Sequence, residues 1–288
     1  MNGFPVLTVA LALVAAMLFA CASVAQQSAA AAVPEGRSLM STLLRSPRWW
    51  AGVVGDVGGY AVQVAALWVG SVLIVQPLVV SMLLFALPLS AKFSGFEMTR
   101  STWLLAISLA LALAVFIVVG DPTEGHSNAP FAEWLVPLLV TTVVISVFAV
   151  AGFVLHNPGY RALLLGAAGG LLFGVAVAFT KFVTDLVEKD LVSAITAWQT
   201  YALVGCGVLG FYLQQVAFQA GPLSASLPAV TIGEPFGAAF LGITVLDERV
   251  RDDPGALVII GCSVLVMIVA TIALSRSQAQ LAESVTGA

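Results

Sequence analysis

An internal duplication constrains this chain more than any single motif. Gly59, Gln63, Ala66, Gly70, Pro77, Phe85, Glu97 and Arg100 recur, without a gap, as Gly210, Gln214, Ala217, Gly221, Pro228, Phe236, Glu248 and Arg251, a constant shift of 151 positions. Each copy reads as an apolar helix, a tight glycine turn, a proline-broken apolar helix and a short charged loop. A repeat of this kind sets the fold before any local signal does. In a membrane protein, a duplicated pair of Pro- or Gly-interrupted apolar segments points to a transport site between two halves.

Composition places the chain in a bilayer. Hydrophobic residues make up 60% of its 288 positions and charged residues 9%, with a mean hydropathy of +1.05. A soluble domain carries about 25% charged residues, so a globular enzyme is not expected. The net charge of −4 is spread over loops, and no basic patch interleaved with aromatics suggests nucleic acid. Cys21, Cys206 and Cys262 sit inside apolar runs and read as small core hydrophobes rather than a disulfide framework.

Residues 4–25 have two readings. Ala22-Ser23-Val24-Ala25 resembles a signal cleavage site, but Met1 to Phe4 contains no Lys or Arg, so the basic n-region is missing. The run is long enough to cross about 30 Å of hydrocarbon, and Leu18-Phe19-Ala20 has an approximate counterpart in Leu172-Phe173-Gly174. A retained helix is expected.

Nine spans can be drawn, near 4–25, 49–70, 72–91, 102–120, 134–155, 161–183, 197–218, 221–246 and 255–275. The short connections at Gly70 and Gly221 imply tight antiparallel hairpins. The resulting fold class is an all-α polytopic membrane protein: two inverted four-helix repeats, residues 1–120 and 161–276, joined by a connecting helix within 121–160. A polar tail, 277–288, is expected to be disordered. Arg37, Arg45, Arg48, Lys92, Arg100, Arg161 and Arg276 fall on one side, and Lys181, Lys189, Arg249 and Arg251 on the other with Asp121, Glu124, Glu188 and Asp252. The more basic side should be cytoplasmic, giving a cell-membrane protein with its N-terminus outside and its C-terminus inside.

Polar residues within the spans are the candidates for function. Gln63 and Gln214 each precede a hairpin glycine by seven residues, and Pro77 and Pro228 each follow one by seven. Glutamine and proline therefore share one depth, about 10 Å from the turn. Each proline frees the carbonyl four residues earlier, at Leu73 and Ser224, and a freed carbonyl in hydrocarbon needs water, protein or ligand. The amides either satisfy the neighbouring helix or line a polar cavity with those carbonyls. Glu234, between Gly233 and Pro235 near the middle of the eighth span, is an intramembrane acid costing roughly 2.5–3.5 kcal/mol to insert. It is the candidate for binding a proton or cation coupled to substrate. Tyr60 is the repeat partner of Phe211 and could stack on a substrate.

Other polar residues read as structural. Asp56 meets interfacial water or the inner entrance, and Lys181 snorkels at a span end. Glu97 and Glu248 form loop ion pairs or anchors with Arg100 and Arg251, and Gly166, Gly170 and Gly174 form a close-packing ladder inside the monomer or at a dimer seam. His126 and His156 lie apart near span ends. With no phosphate loop, nucleophile motif or metal-ligand grouping, neither enzyme activity nor a cofactor is expected.

These features resemble the drug/metabolite transporter superfamily, the nine- or ten-helix inverted-repeat carriers that include EamA-type exporters. The most specific part runs from Ala217 to Glu248: Ala-Phe-x-x-Gly-Pro, then Pro228, Glu234-Pro235, Gly242 and Asp247-Glu248-Arg249. The resemblance implies a secondary transporter that moves a small metabolite or drug-like solute through a central cavity, with Tyr60, Gln63, Gln76, Pro77, Gln214, Pro228 and Glu234 as its lining. Trp49-Trp50-Ala51-Gly52 and Gln76-Pro77-Leu78 are also similar to segments of the NIPA-type magnesium transporters. There Glu234 would be the metal candidate, although this chain reads Gly59-Tyr60-Ala61-Val62-Gln63 where that pattern has an acid. A small lipid-linked sugar flippase and a non-transporting membrane scaffold remain further alternatives.

Overall fold

The computed structural model describes residues 4–31, 42–94, 98–123, 125, 129–221 and 223–286. Expectations that involve Arg37, Glu97, Glu124 and His126 fall outside them. Among the described residues the chain is all-helical: α1 (Phe4–Ala31), α2 (Pro47–Trp68), α3 (Val72–Val80), α4 (Met82–Ser94), α5 (Arg100–Gly120), α6 (Phe131–Val154), α7 (Pro158–Lys189), α8 (Leu191–Thr196), α9 (Trp198–Ala220), α10 (Leu223–Thr244) and α11 (Pro254–Thr286). Eight segments are long and apolar enough to cross a membrane, with α3 and α4 together forming one of them. This is a multi-pass helical membrane protein.

Helix starts follow elementary capping chemistry. Ser46, Ser71, Thr99 and Asn157 each accept a backbone N–H from the first turn of α2, α3, α5 and α7, and proline opens both α2 and α7. Asp190 starts α8 by accepting from the Ser193 hydroxyl and the Ser193 and Val192 amides. Those bonds, the Ser193 hydroxyl foremost, hold its carboxyl below the usual range. The third span is broken at Ser81, four residues after Pro77, and the Ser81 hydroxyl turns back to the Leu78 carbonyl.

The expected tight hairpins are corrected by the packing. The turns at Gly70 and Gly221 are short, but each pair of arms diverges around a third helix: α1 packs on α2, α3 and α4, and α7 packs on α9 and α10. The cause is glycine. A methyl at Gly52, Gly55 or Gly59 would meet Ala22, Gln26 or Phe19 of α1, so α2 lies close along α1. The ladder Gly166, Gly170 and Gly174 seats α7 on the α10 backbone at Ser226, Val230 and Glu234, inside the monomer.

The two copies repeat these contacts. Gly59 faces the Phe19 ring and Gly210 faces the Phe173 ring; Gly70 meets Thr8 and Gly221 meets Ala162. All nine residues of α3 are buried, making it the centre of the bundle. At one end Trp134 is fully buried and stacks on Phe179 at 4.9 Å, with Phe182 and Trp198 edge-on.

Further expectations are corrected. The tail is not disordered through its described part: α11 continues to Thr286, because Gln278 donates to Ser23 of α1 and Ala279 is buried. Cys21 and Cys262 are exposed on the outside of their helices, and only Cys206 is partly buried, so the cysteines are not core residues. Nine apolar spans become eight by hydropathy, because α2 carries Arg48, Asp56, Gln63 and four glycines.

Candidate functional site

The same α2 carries the site. Asp56, Tyr60, Gln63 and the Leu67 carbonyl lie 4, 7 and 11 positions along it from the first, which puts them on one face of a helix. Each meets a polar partner from elsewhere. Gln26 of α1 donates to the Asp56 carboxylate at 2.5 Å. The Tyr60 hydroxyl hydrogen-bonds the Thr180 hydroxyl of α7 at 2.8 Å, and Thr180 also donates to the Ala176 carbonyl. Lys181 Nζ donates to the Leu67 carbonyl at 2.9 Å and pairs with Asp185 at 3.2 Å.

Glu234 enters this stripe from α10. Its carboxyl faces the Gln63 side chain and lies within electrostatic reach of Tyr60. The Gln63 amide nitrogen is buried, and its side chain is the hydrogen-bonding group that the acid faces. The glycine ladder determines this placement: Gly174 sits against the Glu234 carbonyl, Gly170 against Val230, and α10 cannot turn without lifting off α7. Glu234 therefore points into the bundle and not toward lipid.

The structure divides the expected lining residues. Tyr60, Gln63 and Glu234 come together, with Thr180 as a fourth member that the sequence reading missed. Gln76 and Pro77 are buried in α3, where the Gln76 amide nitrogen is also without a partner. Gln214 lies on α9 with its backbone beside Gly169 of α7, and Pro228 is buried in α10. Neither joins the Glu234 group by a hydrogen bond among the described residues.

Two charges read as peripheral are buried instead. Lys181 does not snorkel: it is nine-tenths buried and caps the carboxyl end of α2, where the helix dipole is negative. Glu248 is buried at a helix start. It is 1% exposed and accepts the Val72 and Leu73 amides at 2.7 and 2.9 Å, at the positive end of α3. Arg251 instead pairs with Asp121 at 3.6 Å, where the backbones of 121–123 and 249–251 are bonded together. The signal for Glu248 was its recurrence in the repeat; for Lys181 it was the acid four residues on.

An all-helical bundle with eight segments able to cross a membrane defines a class, the polytopic membrane proteins. Within it, the chain is 38% identical over 284 residues to the Uncharacterized protein Cgl0250/cg0304 of Corynebacterium glutamicum, covering 96% of this chain and 98% of that one. It belongs to the same family as that protein. No family model matches the chain, and no solved structure matches it.

Proposed function

We propose that this protein is a secondary transporter of a small solute, with Glu234 binding the coupled proton or the cationic group of the substrate. The observation that carries the reading is the Glu234 carboxyl set against the buried Gln63 amide, between α10 and α2. A membrane helix tolerates a central acid where it faces a polar path, and an acid and an amide taken out of water each cost free energy even when they face one another. A scaffold would relieve both costs with apolar side chains.

In this reading α2 is a ninth span. It runs beside α1 from Gly52 at Ala22 to Gly70 at Thr8, the length of a helix that crosses on its own hydropathy. Nine crossings place helices α1–α5 and α7–α11 in opposite orientation about α6. Such an inverted pair lets one site face either side in turn. The matched Gly–Phe contacts at Gly59 and Gly210 support that symmetry. Magnesium is the second reading: among the described residues no three His, Cys, Asp or Glu gather, so Glu234 would have to hold the ion with few other protein ligands and retained water.

A solute panel of metabolites, drugs and divalent cations, read by thermal stabilisation of the purified protein, identifies a ligand. Its uptake into proteoliposomes is then compared between wild type and Glu234→Gln. The expected result is loss of uptake by about tenfold or more, one such factor for each 1.4 kcal/mol of binding lost. Unchanged uptake and unchanged pH dependence in Glu234→Gln would remove the acid from the mechanism.

A further inference from the structure

The turn at Gly70 is held from both sides by opposite charges. Lys181 of α7 binds the last carbonyl of α2 used by the stripe, at Leu67, and Asp185 binds Lys181. Two and three residues beyond Gly70 along the chain the sign reverses: Glu248, just past the end of α10, holds the Val72 and Leu73 amides of α3. A cation sits at a helix C-terminus and an anion at a helix N-terminus, each where the dipole favours it. Both come from more than 100 residues away.

Local capping does not require either one. Ser71 already caps α3 through the Ile74 amide, and Thr8 already donates to the Val69 carbonyl. The described neighbours of Gly221 are Pro158 and Ala162 of α7, in its own repeat, as Thr8 of α1 is for Gly70. Lys181 and Glu248 are instead contacts between repeats, at one end of the bundle, and both are buried.

We infer that Lys181–Asp185 and Glu248 form a two-part charge latch that closes the bundle at the Gly70 end. Any motion that opens the polar stripe toward that end separates α2 and α3 from α7 and the end of α10, and so breaks both attachments. The inference rests on the alternating-access reading. It adds that this end is closed by fixed charges and backbone dipoles, with Lys181, Asp185 and Glu248 as positioning residues that do not touch the solute.

The test needs no solute. In a chain with Cys21, Cys206 and Cys262 replaced by alanine, Val75→Cys places a thiol at a fully buried position one turn below the amides held by Glu248. A membrane-impermeant maleimide is applied to vesicles from each side separately. Glu248→Gln and Lys181→Met should each speed labelling from the Gly70 side by about tenfold, as expected for a shifted open population, with labelling from the opposite side unchanged. Unchanged rates in both folded variants would overturn the latch, and so would equal acceleration from both sides, which marks a loosened fold. Should the variants fail to fold, spin labels at Trp68→Cys and Arg249→Cys in a chain retaining all three charges should give two distance populations. One narrow distance would overturn the inference. Opening without solute uptake would defeat the transport reading alone; uptake with unaltered labelling would defeat the latch alone.

Discussion

Gly170→Ala tests the contact on which the placement of Glu234 depends. A methyl at Gly170 would lie 2.5 Å from the Val230 carbonyl oxygen and 3.0 Å from the Gly233 and Val230 α-carbons. All three atoms are α10 backbone, so no side-chain rotation relieves the clash, and α10 must retreat by roughly 0.5–1 Å. A gap of that size forfeits about a quarter to a half of each dispersion contact along the seam, and overpacking of this kind costs about 1–3 kcal/mol. The proper comparison is Gly205→Ala, where the added methyl meets nothing within 4 Å. There the substitution only removes backbone freedom, a gain of up to about 1 kcal/mol in a helix. The two variants should therefore differ by about 2–4 kcal/mol, or on the order of 5–10 °C in unfolding midpoint at one scan rate. Thermal unfolding in detergent reads the difference. If Gly170→Ala unfolds at or above the temperature of Gly205→Ala, the α7–α10 seam is not backbone-tight and the argument for where Glu234 points fails.

Two more outcomes follow from the buried and capping charges. Lys181→Met removes one cation beside Asp185, which is 13% exposed, and should destabilise by up to about 3–5 kcal/mol, the cost of breaking a buried pair. Lys181→Met/Asp185→Asn should recover much of that loss in a double-mutant cycle; a double variant as unstable as the sum of both single ones refutes the coupling. Asp190, whose carboxyl titrates below its ordinary range because it accepts from Ser193 and Val192, stabilises the start of α8 at pH values above about 4. Because the folded value is depressed, that contribution is lost only as pH falls through it. Asp190→Ala should speed hydrogen exchange at Val192 and Ser193 at neutral pH, with the gap to wild type closing in strong acid. A gap that persists there would show that the charge is not what caps the helix.

The architecture was legible wherever hydropathy or periodicity carried it. Apolar runs located every long helix, the repeat paired Gly59 with Gly210, and the spacing of Gly166, Gly170 and Gly174 announced the seam with α10. Hydropathy is a sum over a window, so it has no way of saying which helix another one faces. Both short turns were visible, but not the wedge of α1 or α7 between the arms, because a turn fixes the ends of two helices and not their angle. The same blindness hid Lys181 and Glu248. A charge near the end of an apolar run usually meets water, and only the fold reveals a helix terminus waiting for it. The stripe on α2 was readable in its spacing, and its cost was visible too, as the one long helix whose hydropathy falls short.

The duplication also separates scaffold from chemistry. What recurs is packing: Gly59 on Phe19 and Gly210 on Phe173, Gly70 on Thr8 and Gly221 on Ala162. What does not recur is the central acid or the hydroxyl facing it. The position equivalent to Glu234 in the first copy is Leu83, fully buried among apolar neighbours in α4, and the counterpart of Tyr60 is Phe211, which has no hydroxyl. Gln63 and Gln214 are both retained, yet only Gln63 has an acid before it. A fold that needed these groups for stability would need them twice, since both copies are built on the same contacts. They are restricted to one interface, α2 of the first copy against α7 and α10 of the second, so the duplicated contacts alone do not account for them.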